Sequence, residues 1–368
     1  MTNLILQFCI PFLVTFFTTP LVIRGVNKYN LLDLPDHRKT HQAPVPTMGG
    51  IGIFLGLITS VLLSADFTQQ SVTLLVGITI MAVTGIIDDA KNLKASVKFI
   101  IQLMVALLLV KSGFIIPELF GIFGIHHIPL GLQYAISIIA ITGIVNAFNL
   151  IDGIDCLAAG LGLISAILFA VLFYRVGEMP FFYLCISLLA ALLAFLKYNF
   201  NPAKIFMGDT GSLLIGTLMA AFSLKYLTLI SSLQHAVEHS PIQSPGLIVS
   251  LVAIPVFDTL RVFAKRLLQG HSPFKADRIH IHHILIDAGL SHRQATAIIL
   301  TLGLLMISNA WFSLLSTEYV ILLLLVVYLI SLRIFSLLSW IKTIKTIVRN
   351  QQQIDLLKSK NPFYKIQL

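Results

Sequence analysis

Carboxylate side chains cluster at three places in this chain. Asp88 and Asp89 are adjacent, Asp152 and Asp155 are three residues apart in NAFNLIDGID, and Asp209 lies in NFNPAKIFMGDTGS. Neighbouring carboxylates repel one another, and sharing a divalent cation or a proton lowers that repulsion. The pattern therefore predicts an oxygen-ligand metal site or a base with a raised pKa.

The segment NAFNLIDGID also carries amides at Asn146 and Asn149. A step of three residues turns an α-helix by about 300°, so the two amides share a face. Asp155 would point away from them if the helix continued. The groups converge only if the helix ends near Asp152, where Gly153 can break it. Asp155 could equally cap the following helix.

Asp209 stands before Thr210, Gly211 and an apolar stretch. This order is typical of a helix N-cap. A helix N-terminus with small residues also binds phosphate through its free N–H groups, so a cation held by Asp209 would suit a pyrophosphate. Both interpretations remain open at the level of sequence.

Basic and imidazole side chains are concentrated between residues 258 and 283, in PVFDTLRVFAKR and PFKADRIHIHH. Arginine and histidine bind phosphate well. On an extended strand His280 and His282 would share one side, which would suit zinc, but no Cys or third spaced ligand accompanies them. An anion or sugar site is therefore favoured. Its candidates are Arg261, Arg266, Arg278, His280, His282 and His283.

A second basic segment, LLDLPDHRKTHQAPVPTMGG, follows the first apolar stretch. Arg38 and Lys39 are expected to meet lipid headgroups, whereas the role of Asp33 cannot be assigned from its spacing. His41 completes the candidate set in this loop.

The elements that must position these residues are membrane helices. Hydrophobic residues make up 57% of the 368-residue chain and charged residues only 11%, against about 25% in soluble domains. A helix needs about 20 apolar residues to cross the hydrocarbon core. The sequence predicts an all-α polytopic membrane protein with eleven spans. They lie near 3–23, 49–65, 71–88, 97–113, 131–151, 156–174, 180–197, 211–229, 246–264, 295–316 and 319–340.

Charge predicts the orientation. With the N-terminus in the periplasm and the C-terminus in the cytoplasm, only Lys111, Arg175 and Lys225 of the 25 Lys and Arg residues face outside. The candidate site residues then lie on cytoplasmic loops. We expect one transmembrane catalytic domain over residues 1–341 and a basic cytoplasmic tail over 342–368. A transporter is the alternative from another class, but its carboxylates would lie near the membrane midplane.

Five segments in this order resemble one enzyme family: DLPDHRKTH with PTMGG, the Asp88–Asp89 pair, NAFNLIDGID, FMGDTGS and DRIHIHH. They are similar to the polyprenyl-phosphate N-acetylhexosamine-1-phosphate transferases, in particular the bacterial undecaprenyl-phosphate N-acetylglucosaminyl-1-phosphate transferase branch. The aspartate-rich motif of the family often reads DDxxD, whereas Asn92 stands here at the fifth position.

The resemblance implies transfer of N-acetylglucosamine-1-phosphate from UDP-N-acetylglucosamine to undecaprenyl phosphate, with release of UMP, at the bacterial inner membrane. This step starts O-antigen, enterobacterial common antigen or a related envelope polymer. Another UDP-amino sugar or UDP-N-acetylmuramoyl-pentapeptide is the alternative donor. The expected partners are these substrates and membrane lipids, with no nucleic acid. The oligomeric state, including a homodimer, is left open.

The resemblance also assigns roles and implies Mg²⁺ or Mn²⁺ as cofactor. The catalytic candidates are Asp88, Asp89, Asp152 and Asp155, and the metal candidates are Asp209, Asp88, Asp89 and Asp152. The nucleotide-sugar candidates are Asn146, Asn149, Arg261, Arg266, Arg278, His280, His282 and His283. The lipid-phosphate candidates are Asp33, Arg38, Lys39 and His41. A single in-line transfer and a covalent phospho-Asp route both fit this set.

Overall fold

Helices make up nearly all of the described chain. The computed structural model describes residues 2–29, 31–33, 44–63, 68–200, 202–233, 245–273, 278–313 and 315–360. In chain order the helices are α1 (Thr2–Lys28), α2 (Gly50–Leu63), α3 (Gln69–Lys91), α4 (Ala95–Lys111), α5 (Leu130–Ile151), α6 (Leu157–Arg175), α7 (Met179–Asn199), α8 (Gly208–Leu233), α9 (Pro245–Leu268), α10 (Ile281–Asp287), α11 (His292–Phe312) and α12 (Thr317–Lys360).

The predicted fold class is confirmed, since the chain forms a helical polytopic membrane protein. Every predicted span coincides with a helix, and within the described residues nine helices are long and apolar enough to cross a membrane. The helices α2 and α4 are shorter, with 14 and 17 residues. The number of crossings and their orientation stay predictions.

Two of the helices begin at capping boxes. At the start of α3, Thr68 accepts a hydrogen bond from the N–H of Ser71, and the Ser71 side chain bonds back to the Thr68 backbone. Ser291 and Gln294 repeat the arrangement at the start of α11. Each box satisfies N–H groups that a helix leaves without partners. These caps fix the beginnings of both helices.

The central helix of the bundle is α8. Every residue from Thr210 to Leu227 is buried. Its Phe222 packs against Phe169 and Phe173 of α6, with ring centroids 5.6 and 5.9 Å apart. At its N-terminal end α8 touches α3 backbone to backbone, since a Cβ on Gly85 would lie 2.3 Å from Thr210 Cα. Small residues permit such close helix contacts in membranes.

A short antiparallel sheet lies beside this end of α8. It pairs β1 (Leu32–Asp33) with β2 (Val45–Pro46). The carbonyl of Pro46 accepts a hydrogen bond from Phe206 N at 2.8 Å, and Gly49 N donates to Phe206 O at 2.9 Å. The segment that leads into α8 is therefore anchored to the segment that leads into α2.

The last helix, α12, runs without interruption from Thr317 to Lys360. The boundary predicted at residue 341, between a catalytic domain and a tail, falls inside it. Its apolar portion is mostly exposed within the chain, as lipid-facing surface would be. The division into two parts stays a prediction.

Candidate active site

Asp88 and Asp89 have different partners at the C-terminal end of α3. Asp89 accepts hydrogen bonds from the N–H groups of Asp209 (2.8 Å) and Thr210 (3.1 Å) and from the Thr210 hydroxyl (2.7 Å). It therefore caps α8 from another helix and places a negative charge at the positive end of the helix dipole. An N-cap role for Asp209 was one of two open interpretations; Asp209 instead lies inside the first turn of α8, and Asp89 supplies the cap.

Lys98 forms ion pairs with both Asp88 and Asp209. Lys98 Nζ lies 2.8 Å from Asp88 Oδ2 and 2.8 Å from Asp209 Oδ2. Asp88 is also fixed by Leu93 N, which donates to its Oδ1 at 2.6 Å. Two carboxylates thus converge on one cationic atom. Lys98 was not among the predicted site residues. A lysine in the first turn of α4 lies at the unfavourable end of the helix dipole, and this placement is a signal that could have identified it.

Asn92, at the fifth position of the aspartate-rich motif, lies where α3 ends. Asn92 forms the C-cap of α3 with φ of 50°, and its N–H donates to Asp88 O at 2.8 Å. Asparagine tolerates this left-handed conformation better than most residues. The side chain at this position therefore helps to end α3 beside the acidic pair.

The two predicted amides connect α5 to its neighbours. Asn149 Nδ2 donates to Ser212 Oγ at 2.9 Å, in the N-terminal part of α8 that also carries Asp209. One turn farther from the cluster, Asn146 Nδ2 donates to Gln102 Oε1 of α4 at 2.7 Å. Asn149 therefore belongs to the carboxylate cluster, whereas Asn146 is held one turn away.

Asp152 forms the C-cap of α5, so the helix ends where the sequence predicts. Burial raises the pKa of Asp152 to about 8, and the negative charges of Asp209 and Asp89 add to the effect. A carboxyl group in this position keeps its proton near neutral pH unless positive charge is supplied, because a nearby cation favours the ionised form.

Asp155 lies beyond the end of α5, and its contacts connect loops. Its Oδ2 accepts a hydrogen bond from Ala203 N at 3.4 Å, and its Oδ1 lies 3.4 Å from His292 Nδ1. The backbone carbonyl of Asp155 accepts from Thr296 Oγ1 at 2.8 Å. The N-cap of α6 is Cys156, so Asp155 does not cap that helix as the alternative interpretation proposes. Its catalytic role stays a prediction.

The histidine segment begins a short helix and is not an extended strand. His280 is the N-cap of α10, and the helix begins at Ile281. His280 Nδ1 lies 2.7 Å from Asp258 Oδ2, and Asp258 is fully buried in α9. His280 and His282 therefore lack the strand geometry that a zinc pair would need, and zinc was already disfavoured by the sequence.

The ring of His282 packs against Gly153, next to the carboxylate Asp152. A Cβ on Gly153 would lie 2.2 Å from His282 Nε2, so only glycine leaves room for the ring beside Asp152. Burial lowers the pKa of His282 well below its usual value, and burial with the charge of Arg278 lowers that of His283 to about 4. Both rings are therefore neutral near pH 7.

The predicted arginines have protein partners. Arg261 Nη2 donates to Asp258 Oδ1 at 2.8 Å, and Arg266 donates to the carbonyl of Pro273. Arg278 forms an ion pair with Asp287 at 3.2 Å and is the most exposed of the three. Of the three arginines, Arg278 is therefore the most accessible to a ligand. The nucleotide-sugar assignments stay predictions.

The predicted lipid-phosphate residues lie in the segment before β2. Arg38, Lys39 and His41 are outside the described residues, and Asp33 is described only through its backbone in β1. Their roles stay predictions.

Comparison with known proteins assigns the family. Residues 71–227 match glycosyl transferase family 4. Over 305 residues the chain is 38% identical to the probable undecaprenyl-phosphate N-acetylglucosaminyl 1-phosphate transferase of Bacillus subtilis, and the alignment covers 82% of this chain and 83% of the relative. The chain belongs to the polyprenyl-phosphate N-acetylhexosamine-1-phosphate transferase family. The resemblance found in the sequence is confirmed.

Members of this family from other bacteria are also similar. The decaprenyl-phosphate N-acetylglucosaminephosphotransferase of Mycobacterium tuberculosis is 35% identical over 78% of this chain and 76% of its own length. The undecaprenyl-phosphate alpha-N-acetylglucosaminyl 1-phosphate transferase of Yersinia pestis is 30% identical over 74% of each. The family match spans α3 to α8 and so contains Asp88, Lys98, Asp152 and Asp209.

The donor set suits a cation that takes part of its coordination from substrate. No three His, Cys, Asp or Glu side chains come close enough to hold a metal ion in the part of the chain that the structure describes. Asp88 and Asp209 nevertheless converge on a shared cationic position. Mg²⁺ is commonly held by one or two carboxylates together with substrate phosphates and water, so this pair fits such an ion.

Proposed function

We propose that this protein transfers N-acetylglucosamine-1-phosphate from UDP-N-acetylglucosamine to undecaprenyl phosphate, producing undecaprenyl-pyrophosphoryl-N-acetylglucosamine and UMP. The observation that carries the proposal is the convergence of Asp88, Asp209 and Lys98 at one end of the helix bundle, beside Asp152. The names of the similar proteins support a polyprenyl phosphate acceptor and an N-acetylglucosamine phosphate donor.

The reaction is an in-line displacement at phosphorus. An oxygen of the lipid phosphate attacks the phosphorus attached to the sugar, the bond from that phosphorus to the bridging oxygen breaks, and UMP leaves. Such transfers depend on positioning and on positive charge at the phosphoryl oxygens. The Lys98 ammonium group supplies a fixed positive charge at the centre of the site.

The adjacent carboxylates Asp88 and Asp89 have different roles. Both oxygens of Asp89 already accept hydrogen bonds from the first turn of α8, so its carboxylate orients that helix. Asp88 carries its second oxygen toward Lys98 and Asp209. Asp88 is therefore the member of the pair that orients the lipid phosphate or accepts its proton.

Mg²⁺ or Mn²⁺ would be held by Asp209 and Asp88, with Asp152 close by. Bound there, the ion supplies positive charge to the pyrophosphate. Asn149 holds the N-terminal part of α8, which carries Asp209, by its hydrogen bond to Ser212, and Lys98 donates to Asp209 Oδ2. The neutral rings of His282 and His283 provide hydrogen-bonding nitrogens for the donor, since their Nδ1 atoms are buried and have no partner within the described residues.

The proposed function also implies where in the cell the protein and its active site lie. The active site faces the cytoplasm of a bacterium, at the inner membrane, where nucleotide sugars are available. The product would serve as the first lipid-linked intermediate of O-antigen, enterobacterial common antigen or a related envelope polymer. Arg38 and Lys39 would meet the lipid phosphate at the membrane surface.

The test is product formation by the purified full-length protein. UDP-N-acetylglucosamine, UDP-N-acetylgalactosamine and UDP-N-acetylmuramoyl-pentapeptide are each offered with undecaprenyl phosphate and Mg²⁺ or Mn²⁺, and UMP is measured. We expect UMP and the lipid product from UDP-N-acetylglucosamine and none in EDTA. Turnover of the pentapeptide donor alone would replace the proposal with the alternative. Labelled sugar-phosphate trapped on the protein would replace direct transfer with the covalent route.

A further inference from the structure

Asp258 is a buried carboxylate that accepts hydrogen bonds from four groups on three segments of the chain. Its side chain is fully buried in α9. The donors are His280 Nδ1 to Oδ2 at 2.7 Å, and Ile281 N (3.1 Å), Arg261 Nη2 (2.8 Å) and Tyr328 OH (2.8 Å) to Oδ1. Each carboxylate oxygen has two lone pairs, so Oδ1 is fully used by its three donors, and His280 is the partner of Oδ2.

The charge of the group is compensated where it lies. A buried carboxylate is strongly destabilising unless it is paired and hydrogen-bonded. Arg261 supplies the opposite charge, while Tyr328 links the carboxylate to α12 and Ile281 N links it to the start of α10. The carboxylate is therefore fixed in position by α9, α10 and α12 together.

This fixed carboxylate determines which nitrogen of His280 carries the proton. A carboxylate only accepts hydrogen bonds, so Nδ1 of His280 must be the N–H group. In the neutral ring Nε2 is then an acceptor. Within the described part of the chain, Nε2 has no hydrogen-bond partner. The free nitrogen of the ring therefore has a defined chemical character before any ligand arrives.

His280 is connected to the carboxylate cluster through one further ring. The rings of His280 and His282 are stacked, with centroids 5.8 Å apart and planes within 5°. His282 in turn lies against Gly153, next to Asp152. A change in the orientation of His280 would therefore affect His282, which contacts the residue next to Asp152.

We propose that Asp258 is a positioning residue for the transfer reaction: it holds His280 as the Nδ1–H tautomer and so presents Nε2 as a hydrogen-bond acceptor to an O–H or N–H group of the nucleotide-sugar donor. The proposal rests on the proposed function for the identity of the donor. Tyr328 and Arg261 act on Asp258 and have no direct role toward substrate.

Asp258→Asn separates this role from a purely structural one. Three donors face Oδ1, so the amide oxygen of asparagine must take that place and its NH₂ group must face His280. Nδ1 of His280 then has to accept, and the proton moves to Nε2. The shape and the contacts of the site are retained, while the acceptor presented to the donor substrate becomes a donor.

The control is Tyr328→Phe, which removes one of the four hydrogen bonds and leaves the carboxylate and its bond to His280. If Asp258 only joined α9 to α12, both variants would lose stability and activity together. If Asp258 sets the tautomer, only Asp258→Asn changes the ring nitrogens.

The experiment combines NMR with kinetics on the full-length protein in detergent. Histidines are labelled with ¹⁵N, the His280 signals are assigned by their loss in His280→Gln, and spectra are recorded above pH 8, where an ordinary histidine is neutral. We expect the Nδ1–H tautomer in the wild type and in Tyr328→Phe, and the Nε2–H tautomer in Asp258→Asn. Misdirecting one buried hydrogen bond should lower kcat/KM for the donor by about tenfold to a hundredfold in Asp258→Asn.

Each outcome decides the proposal. An Nε2–H tautomer or an imidazolium in the wild type would overturn it, and this outcome does not depend on whether Asp258→Asn folds. Full kcat/KM in an Asp258→Asn protein with the inverted tautomer would also overturn it. A wild type that makes no UMP from any UDP-sugar would refute the proposed function instead, while the spectra would still decide the tautomer claim.

Discussion

At the scale of single residues, the site is organised around positive charge shared between carboxylates. Lys98 contacts Asp88 and Asp209 at equal distances of 2.8 Å. It stands 111 residues from Asp209 in the chain, so its partners follow from tertiary structure. Asp88, Asp89 and Asp152 were predictable, because carboxylates at the C-terminal end of a helix oppose its dipole and so point to a functional reason. The identity of their partner was not.

Lys98→Met tests this arrangement. Removal of the ammonium group leaves two neighbouring carboxylates without their common cation and removes positive charge from the phosphoryl site. We expect kcat/KM for UMP release to fall by at least about 100-fold. Lys94→Met, at the exposed N-cap of the same helix, should stay within about threefold of the wild type. Wild-type activity in Lys98→Met would exclude Lys98 from the chemistry.

Gly153 offers a second test at this scale. A methyl group there would overlap Nε2 of His282, so Gly153→Ala must displace the ring. A displacement of about 1 Å lowers turnover by about 100-fold in a positioned site. The matched control is Gly143→Ala on α5, where a Cβ would meet nothing within 4 Å. UMP release by the two purified variants is the measurement, and equal rates would contradict a role for His282.

The histidines also predict a pH dependence of stability. The pKa of His283 is lowered to about 4 in the folded protein and that of His282 is also well below its usual value, whereas an unfolded histidine titrates near 6.5. Between those values the unfolded chain binds more protons, so the free energy of unfolding rises with pH from about 4 and is complete above about 6.5. The two histidines therefore contribute a fall in Tm from pH 7 to pH 5, whereas the raised pKa of Asp152 contributes in the opposite direction. A double variant, His282→Asn with His283→Asn, lacks the histidine contribution, so its Tm should fall less, or rise more, over this range than that of the wild type; an unchanged slope would contradict neutral, buried rings.

At the scale of elements, the N-terminus of α8 depends on a cap from α3. The sequence placed both Asp89 and Asp209 in the site, and the helices that carry them were predicted within a few residues. It could not show that Asp89 accepts the α8 N–H groups, because a cap from another helix leaves no local pattern. The same limit applies to Tyr328, which bonds to Asp258 from 70 residues away.

Substitutions of the two carboxylates should therefore separate stability from activity. Asp89→Ala removes three hydrogen bonds at the start of α8 and should lower the free energy of unfolding by about 1–2 kcal/mol. Asp209→Asn keeps the cap and should lose activity with little change in stability. Thermal unfolding in detergent and UMP release are measured on both. An inactive Asp89→Ala protein with wild-type stability would assign Asp89 to the substrate instead.

At the scale of the whole molecule, the helix ends that carry the candidate site residues lie together at one end of the bundle. The C-terminal ends of α3 and α5 meet the N-terminal ends of α4 and α8 there, and α10 closes the side that faces α9 and α12. Hydropathy predicts the helices and charge predicts their direction, so this gathering was foreseeable. The histidine segment was not, since seven residues of helix in a polar loop lack a clear apolar period.

The central claim is that these carboxylates serve sugar-phosphate transfer to a lipid phosphate. The most direct measurement follows radiolabelled UDP-N-acetylglucosamine with undecaprenyl phosphate and Mg²⁺, using the wild type and Asp209→Asn. We predict that the wild type moves label into a lipid pyrophosphate with one UMP released for each lipid product, and that Asp209→Asn does so at least about 100-fold more slowly. Equal transfer by the two proteins, or no labelled lipid from the wild type, would contradict the account.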